Sequence, residues 1–180
     1  MELAARWVSA GRRLDMQGLA DEIGISRVTL FRWVGSREDL LGRVLWLLTE
    51  RSLTTGLRRW EAERPAGAPL CAGTGRHVNL ILAEATGLRR LLDQEPTLAI
   101  RVLTDPRGPV QPGCIAFVEK LLRRDMEESG LELTVAPGDL AYALVRLNES
   151  FVYADVLAAR LPDVATATRL QEALILGSSR

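Results

Sequence analysis

The stretch from Ser26 to Gly35, SRVTLFRWVG, sets two arginines, a threonine and a tryptophan on what the pattern predicts to be one short helix. Guanidinium groups such as those of Arg27 and Arg32 can pair bidentately with O6 and N7 of guanine. Each good pair contributes about 1–3 kcal/mol of discrimination between bases. Thr29 can give a phosphate its hydroxyl or offer its methyl group to thymine. Trp33 has two readings, because a large indole on a short helix either packs against the next helix or touches sugar-phosphate and base edges. Val28 and Leu30 or Phe31 should point partly inward, while Ser26 and Val28 border the polar surface and complete the DNA-side set. These residues suit the reading of a nucleic acid rather than the breaking of a bond.

Catalytic chemistry is sparse by comparison. His77 is the only histidine, which excludes a dyad needing two. Cys71 and Cys114 form no CxxC pair, so reduced, buried thiols and a cytoplasmic setting are expected rather than a disulfide. No glycine motif that could cradle a phosphate occurs, nor any spacing that would gather metal ligands, and the run RGPVQPG reads as turn punctuation. We therefore expect neither an enzyme nor a bound cofactor. Apolar residues at 47% with 26% charged describe an ordinary globular chain. No run of apolar residues is long enough to span a bilayer, so no membrane partner is expected. The first residues, MELAARWVSAGRR, lack the basic start and apolar core of a secretory signal. Formal net charge is zero, and residues 1–45 hold seven arginines against six acids, so nucleic-acid binding must rest on local charge.

Three short helices should position the reading residues. The first runs Glu2 to Ala10, with Leu3, Ala4, Trp7 and Val8 inward and Gly11 at its end. Arg12 and Arg13 follow, as solvated loop charges or as phosphate contacts. Asp15 is a candidate N-cap for Met16 to Ile23, and Gly24 can take the left-handed conformation at a helix end. Ser26 caps Arg27 to Val34, and Gly35 closes it. Ser36 then opens a fourth helix, with Asp39 at capping-box spacing. Two helices across a glycine-containing turn, the second bearing Arg and Thr, make a helix-turn-helix reader.

The run LADEIGISRVTLFRWVGSREDLL, residues 19–41, resembles the DNA-binding signature of TetR-like transcriptional regulators. Ala20, Gly24, Ile25, Ser26, Thr29, Leu30, Glu38 and Leu40 carry the resemblance. Asp15, Phe31, Val34 and Arg37 depart from it, standing where Thr or Ser, Tyr, Phe and Lys are usual. The resemblance implies that Trp33 faces DNA, because a DNA-facing His commonly stands there. It also implies that Arg37, at a helix N-terminus that can hold an anion, lies on a phosphate. Phe31 lacks the hydroxyl that the family's Tyr would offer a phosphate.

Beyond the head, the fourth helix should continue from Arg37 to about Arg64, and in TetR-like proteins such a helix transmits ligand state. Residues 65–75 (PAGAPLCAGTG) read as a linker. Helices are expected from Gly75 to Thr86, Leu88 to Gln94, Thr97 to Thr104 and Cys114 to Ser129, with Leu131 to Val135 as loop. A long helix from Pro137 to Leu161 carries two apolar stripes, one of which needs a cover from outside the chain. Asp163 to Leu176 is the last helix. Two such C-terminal helices meeting their symmetry mates would form a four-helix bundle. Leu140, Leu144, Leu147, Phe151, Ala154, Ala158, Leu170 and Leu174 are the expected dimer interface.

The reading is an all-α homodimer: a three-helix helix-turn-helix head over residues 1–45, then a helical effector-binding and dimerisation domain over 46–180. Its partners are a double-stranded, palindromic DNA operator and a small, mostly apolar effector that releases it. Trp46, Trp60, His77, Phe117, Met126, Asn148, Glu149, Phe151 and Val152 are the expected ligand-binding residues. A lactone- or fatty-acyl-like effector follows from their apolarity alone. The alternatives are a helical dimeric ligand-binding or enzyme domain with a helix-turn-helix lookalike, and a constitutive DNA-binding protein without effector.

Overall fold

The computed structural model describes residues 1–177, so the last three residues of the expected second domain lie outside the described residues. All regular structure among the described residues is helical, and the chain forms two compact units. One joins Met1–Thr49 with Ala85–Gln111, and the other joins Glu50–Glu84 with the chain from Pro112 onward. The unit that holds the head therefore also takes in two helices from the middle of the chain.

In the first unit, α1 (Glu2–Ser9), α2 (Met16–Glu22) and α3 (Arg27–Val34) lead into α4 (Arg37–Glu63). The starts of α2, α3 and α4 have the caps that their sequences offer. Asp15 accepts from the Gly18 amide at 2.6 Å, and Ser26 from the Thr29 amide at 3.1 Å. Ser36 and Asp39 exchange side chain and backbone reciprocally, at 2.8 and 3.1 Å. Gly24 and Gly35 take positive φ values of 73° and 76°, which end α2's turn and α3 at little steric cost. Trp7, Val8, Leu19, Ala20, Leu30, Leu40, Leu41, Val44 and Leu45 are buried, a core that two short helices alone could not make.

The partners of that core come from α6 (Thr86–Gln94) and α7 (Pro96–Thr104). Leu92, Ala99, Val102 and Leu103 are buried. α1 crosses α6 at Gly87, where a Cβ would stand 2.3 Å from the Val8 carbonyl oxygen, so no larger residue fits. Arg90 donates to the Ala10 carbonyl at 3.2 Å, covering the end of α1.

The second unit contains α5 (Leu70–Ala83), most of α8 (Val110–Glu128), α9 (Pro137–Val152), α10 (Ala154–Ala158) and α11 (Val164–Gly177). Its core joins Trp60, Leu70, Cys71, Leu121, Leu122, Leu140, Ala141, Leu144 and Ile175.

Three boundaries differ from expectation. The segment LCAGTG is the first turn and a half of α5 rather than linker. Its opening amides, Leu70 and Cys71, donate to the two carboxylate oxygens of Asp125 at 2.5 and 2.8 Å, a cap that arrives from α8. Its glycine content has a packing cause, since a Cβ on Gly73 would lie 2.0 Å from the Trp60 indole. The PVQPG run is likewise not mere punctuation. α8 begins at Val110, and Pro112 sits in its first turn, where a missing N–H costs nothing. The long helix expected to reach Leu161 instead ends at Val152. A short α10 follows and stops at Ala159, which adopts a left-handed φ of 51°. Leu131 to Val135 is loop, as expected.

Candidate nucleic-acid interface

α3 buries one residue well, Leu30, at 3% exposure. The rest of the helix surface is open: Val28 is 69%, Phe31 57% and Trp33 63% exposed, and Arg27 and Arg32 are exposed as well. Val28 and Phe31 thus do not point inward, and Leu30 is the residue of α3 that is buried. Trp33 is not packed into the next helix. The start of the helix is doubly tied, since Ser26 Oγ meets both the Thr29 amide and, at 2.9 Å, the Thr29 hydroxyl. That second contact occupies Thr29, whose side chain is half-buried, within its own cap.

Arg37 does not occupy the position expected of it. Its Nε donates to the Leu14 carbonyl at 2.6 Å, and its two terminal nitrogens take both oxygens of Glu95, at 2.8 and 2.5 Å. A guanidinium with its fork filled by a carboxylate is not offered to phosphate. Glu95 also draws in Arg13 at 3.5 Å. The Arg37 hydrogen bonds, against some desolvation, hold the Glu95 carboxyl below the usual carboxylate range. Arg12 lies over the Trp7 ring, 3.1 Å from its centroid, and reaches Glu22 at 3.4 Å.

In the second unit the residues expected to bind a ligand divide. Trp60 is core, its indole N–H donating to the Pro69 carbonyl at 2.9 Å. His77 tilts against Trp60 with ring centroids 6.2 Å apart and reaches Glu63 at 2.6 Å. Phe117 packs on the same core. Met126 stands apart, 40% exposed along an open groove with Gly130 to Leu133. Glu149 is buried and takes Arg146 at 2.5 Å, Val152 is buried, and Phe151 is half-buried. Trp46 is half-buried in the first unit.

Asn148 belongs to a polar network that sequence patterning did not show. It donates to Asn79 Oδ1 at 2.6 Å, and Asn79 in turn donates to Thr168 and Gln171 at 2.8 and 2.9 Å. Asn79, 1% exposed, could have been noticed as an amide on the apolar face of α5. Both thiols are quiescent: burial raises Cys71, and burial with Glu149 nearby pushes Cys114 up to about 12.

Of the expected interface residues, Leu140, Leu144 and Ala154 are buried within the chain, Leu147 and Phe151 are half-buried, and Ala158, Leu170 and Leu174 are exposed.

Residues 66–176 match the family described as Tetracyclin repressor-like, C-terminal domain. The chain belongs to the TetR family of transcriptional regulators. A solved structure described as that of the R. erythropolis transcriptional repressor QsdR from the TetR family aligns with a TM-score of 0.85. The two are 31% identical, over 99% of this chain and 93% of that one. Comparison with functionally curated proteins found no match. Membership in the TetR family accounts for the helix-turn-helix at one end and an all-helical remainder. No helix among the described residues is long and apolar enough to cross a membrane.

Proposed function

We propose that this TetR-family protein is a cytoplasmic, homodimeric repressor that holds a palindromic operator and releases it when a small, mostly apolar effector binds. The observation that carries the reading is the outer face of α3, where Arg27, Arg32 and Trp33 stand exposed on a helix with both ends fixed. Residues 1–45 do the reading, while 46–180 bind effector and partner. Arg37 is left out of the DNA-side set because Glu95 holds it.

In this reading α4, which runs from Arg37 to Glu63, carries the effector's signal to the helix-turn-helix as a tilt. Two heads then no longer match successive major grooves on one side of the duplex. The effector must prefer the released state, by about 1–3 kcal/mol for a coupling of ordinary size. A lactone- or acyl-like effector is the class that suits the apolar side chains of Trp46, Trp60, Phe117, Met126 and Phe151, and no catalysis is involved.

A gel shift against the DNA upstream of its own coding region, titrated with salt, tests the reading. Wild type should bind with an affinity that falls steeply with salt, and Arg32→Ala should lose about tenfold or more through one base contact in each half-site. Unchanged affinity and salt slope in Arg32→Ala would remove α3 from the interface.

A further inference from the structure

We infer that Val28 determines operator specificity by reading a thymine C5-methyl group in the major groove, beside a guanine read by Arg32. The inference rests on the DNA-binding reading above and specifies its half-site.

With about 100° of turn per residue, Val28 and Arg32 lie one turn apart along the middle of α3's outer face, opposite the buried Leu30. Phe31 lies about 80° to one side of that line and Trp33 about 120° to the other. A helix laid in the groove with Leu30 away from DNA thus aims Val28 and Arg32 at the groove floor and the two rings at its walls. Val28 can neither donate nor accept a hydrogen bond, so polar base edges and phosphates offer it nothing. The apolar feature of the major-groove floor is the thymine methyl. At 69% exposure the side chain has little cover from its own chain, and it faces out between two cations, Arg27 and Arg32. Those charges favour a polyanion over an apolar protein surface as the occupant.

The geometry also sets a spacing. The four residues from Val28 to Arg32 advance about 6 Å along the helix, and successive bases on a strand stand about 3.4 Å apart. The thymine and the guanine therefore fall about two base steps apart in each half-site.

The test starts from duplexes selected out of a random pool by the full-length wild-type protein. Each thymine of the selected half-site is replaced singly by deoxyuridine, which removes only the methyl group, and each guanine by 7-deazaguanine, which removes N7. Wild type should lose about fourfold at one thymine per half-site, and about fifteenfold when both half-sites are changed, the loss expected for one buried carbon each. Val28→Ala should bind the thymine and uracil duplexes alike at that position, and Arg32→Ala should ignore 7-deazaguanine two steps away. Val28→Thr, which keeps one methyl, should retain part of the discrimination. Circular dichroism of Val28→Ala should match wild type, because most of the side chain is exposed. Equal binding of wild type to uracil and thymine duplexes at every position overturns the inference alone, as does a wild-type uracil penalty that persists in Val28→Ala. Failure to enrich or bind any duplex overturns the DNA-binding reading with it.

Discussion

Asp125 is fully buried, and its carboxylate accepts hydrogen bonds from two backbone amides. Burial pushes its carboxyl above the usual carboxylate range, while the Leu70 and Cys71 amides pull the other way. A group kept at that cost is structural: it supplies the N-cap that Pro69 cannot, for a helix that starts with LCAGTG. Asp125→Ala should leave both amides unpaired and destabilise the protein by about 1–3 kcal/mol. Urea denaturation followed by circular dichroism measures this, and a midpoint equal to wild type would mean that the cap is dispensable. Gly73 makes the complementary case. Gly73→Ala should force the Trp60 indole off its place and its hydrogen bond to Pro69, at about 1–3 kcal/mol for an overpacked core. Tryptophan emission should shift to longer wavelength if the indole becomes wetter, and unchanged emission and stability would refute the close fit.

Helices were legible where their signals are local, and misread where the partner is distant. Asp15, Ser26, Ser36 and Asp39 cap their helices from three residues away, so the helix-turn-helix was readable almost to the residue. The first residues of α5, Leu70 to Gly75, look like linker in sequence because their cap is 55 residues away and Gly73 answers to an indole on another helix. The resemblance puts Arg37 on a phosphate, and nothing local in the sequence corrects it, its partner Glu95 being 58 residues on. That ion pair joins three elements: the start of α4, the Leu14 carbonyl ahead of α2, and the junction of α6 with α7. Glu95→Gln keeps the shape and loses the charge, and should cost about 1–2 kcal/mol at neutral pH. The sign with pH follows from the lowered carboxyl. A folded-state value below the ordinary 4.5 means that the stabilisation is in place above that value and is lost as pH falls through the lowered one. The gap between wild type and Glu95→Gln in urea midpoint should therefore narrow at low pH, and a gap constant from pH 7 to pH 3 would show that Glu95 contributes no charge.

At the scale of the molecule, a head of three short helices can read only a few base pairs, and useful specificity requires two heads held together. The second unit leaves apolar surface consistent with that need. Leu140 and Leu144 close its own core, so the stripe that remains to be covered lies on α10, α11 and the turn between them. Leu157, Leu161, Leu170, Leu174 and Leu176 are between 41% and 89% exposed. Leu170 and Leu174 are four residues apart on α11 and share a face, while Ala167 and Ile175 turn inward. A two-fold axis along α11 would set this stripe against its own copy and bury it, with no second surface left to propagate a fibre. Placing a glutamate in such a contact buries an unpaired charge, which costs far more than the apolar area lost. Leu170→Glu with Leu174→Glu should then convert the protein to monomer in sedimentation velocity while helical content stays at the wild-type level. Operator affinity should fall with it, because each head must find its half-site alone. A double variant that still sediments as a dimer would place the two-fold contact on another face.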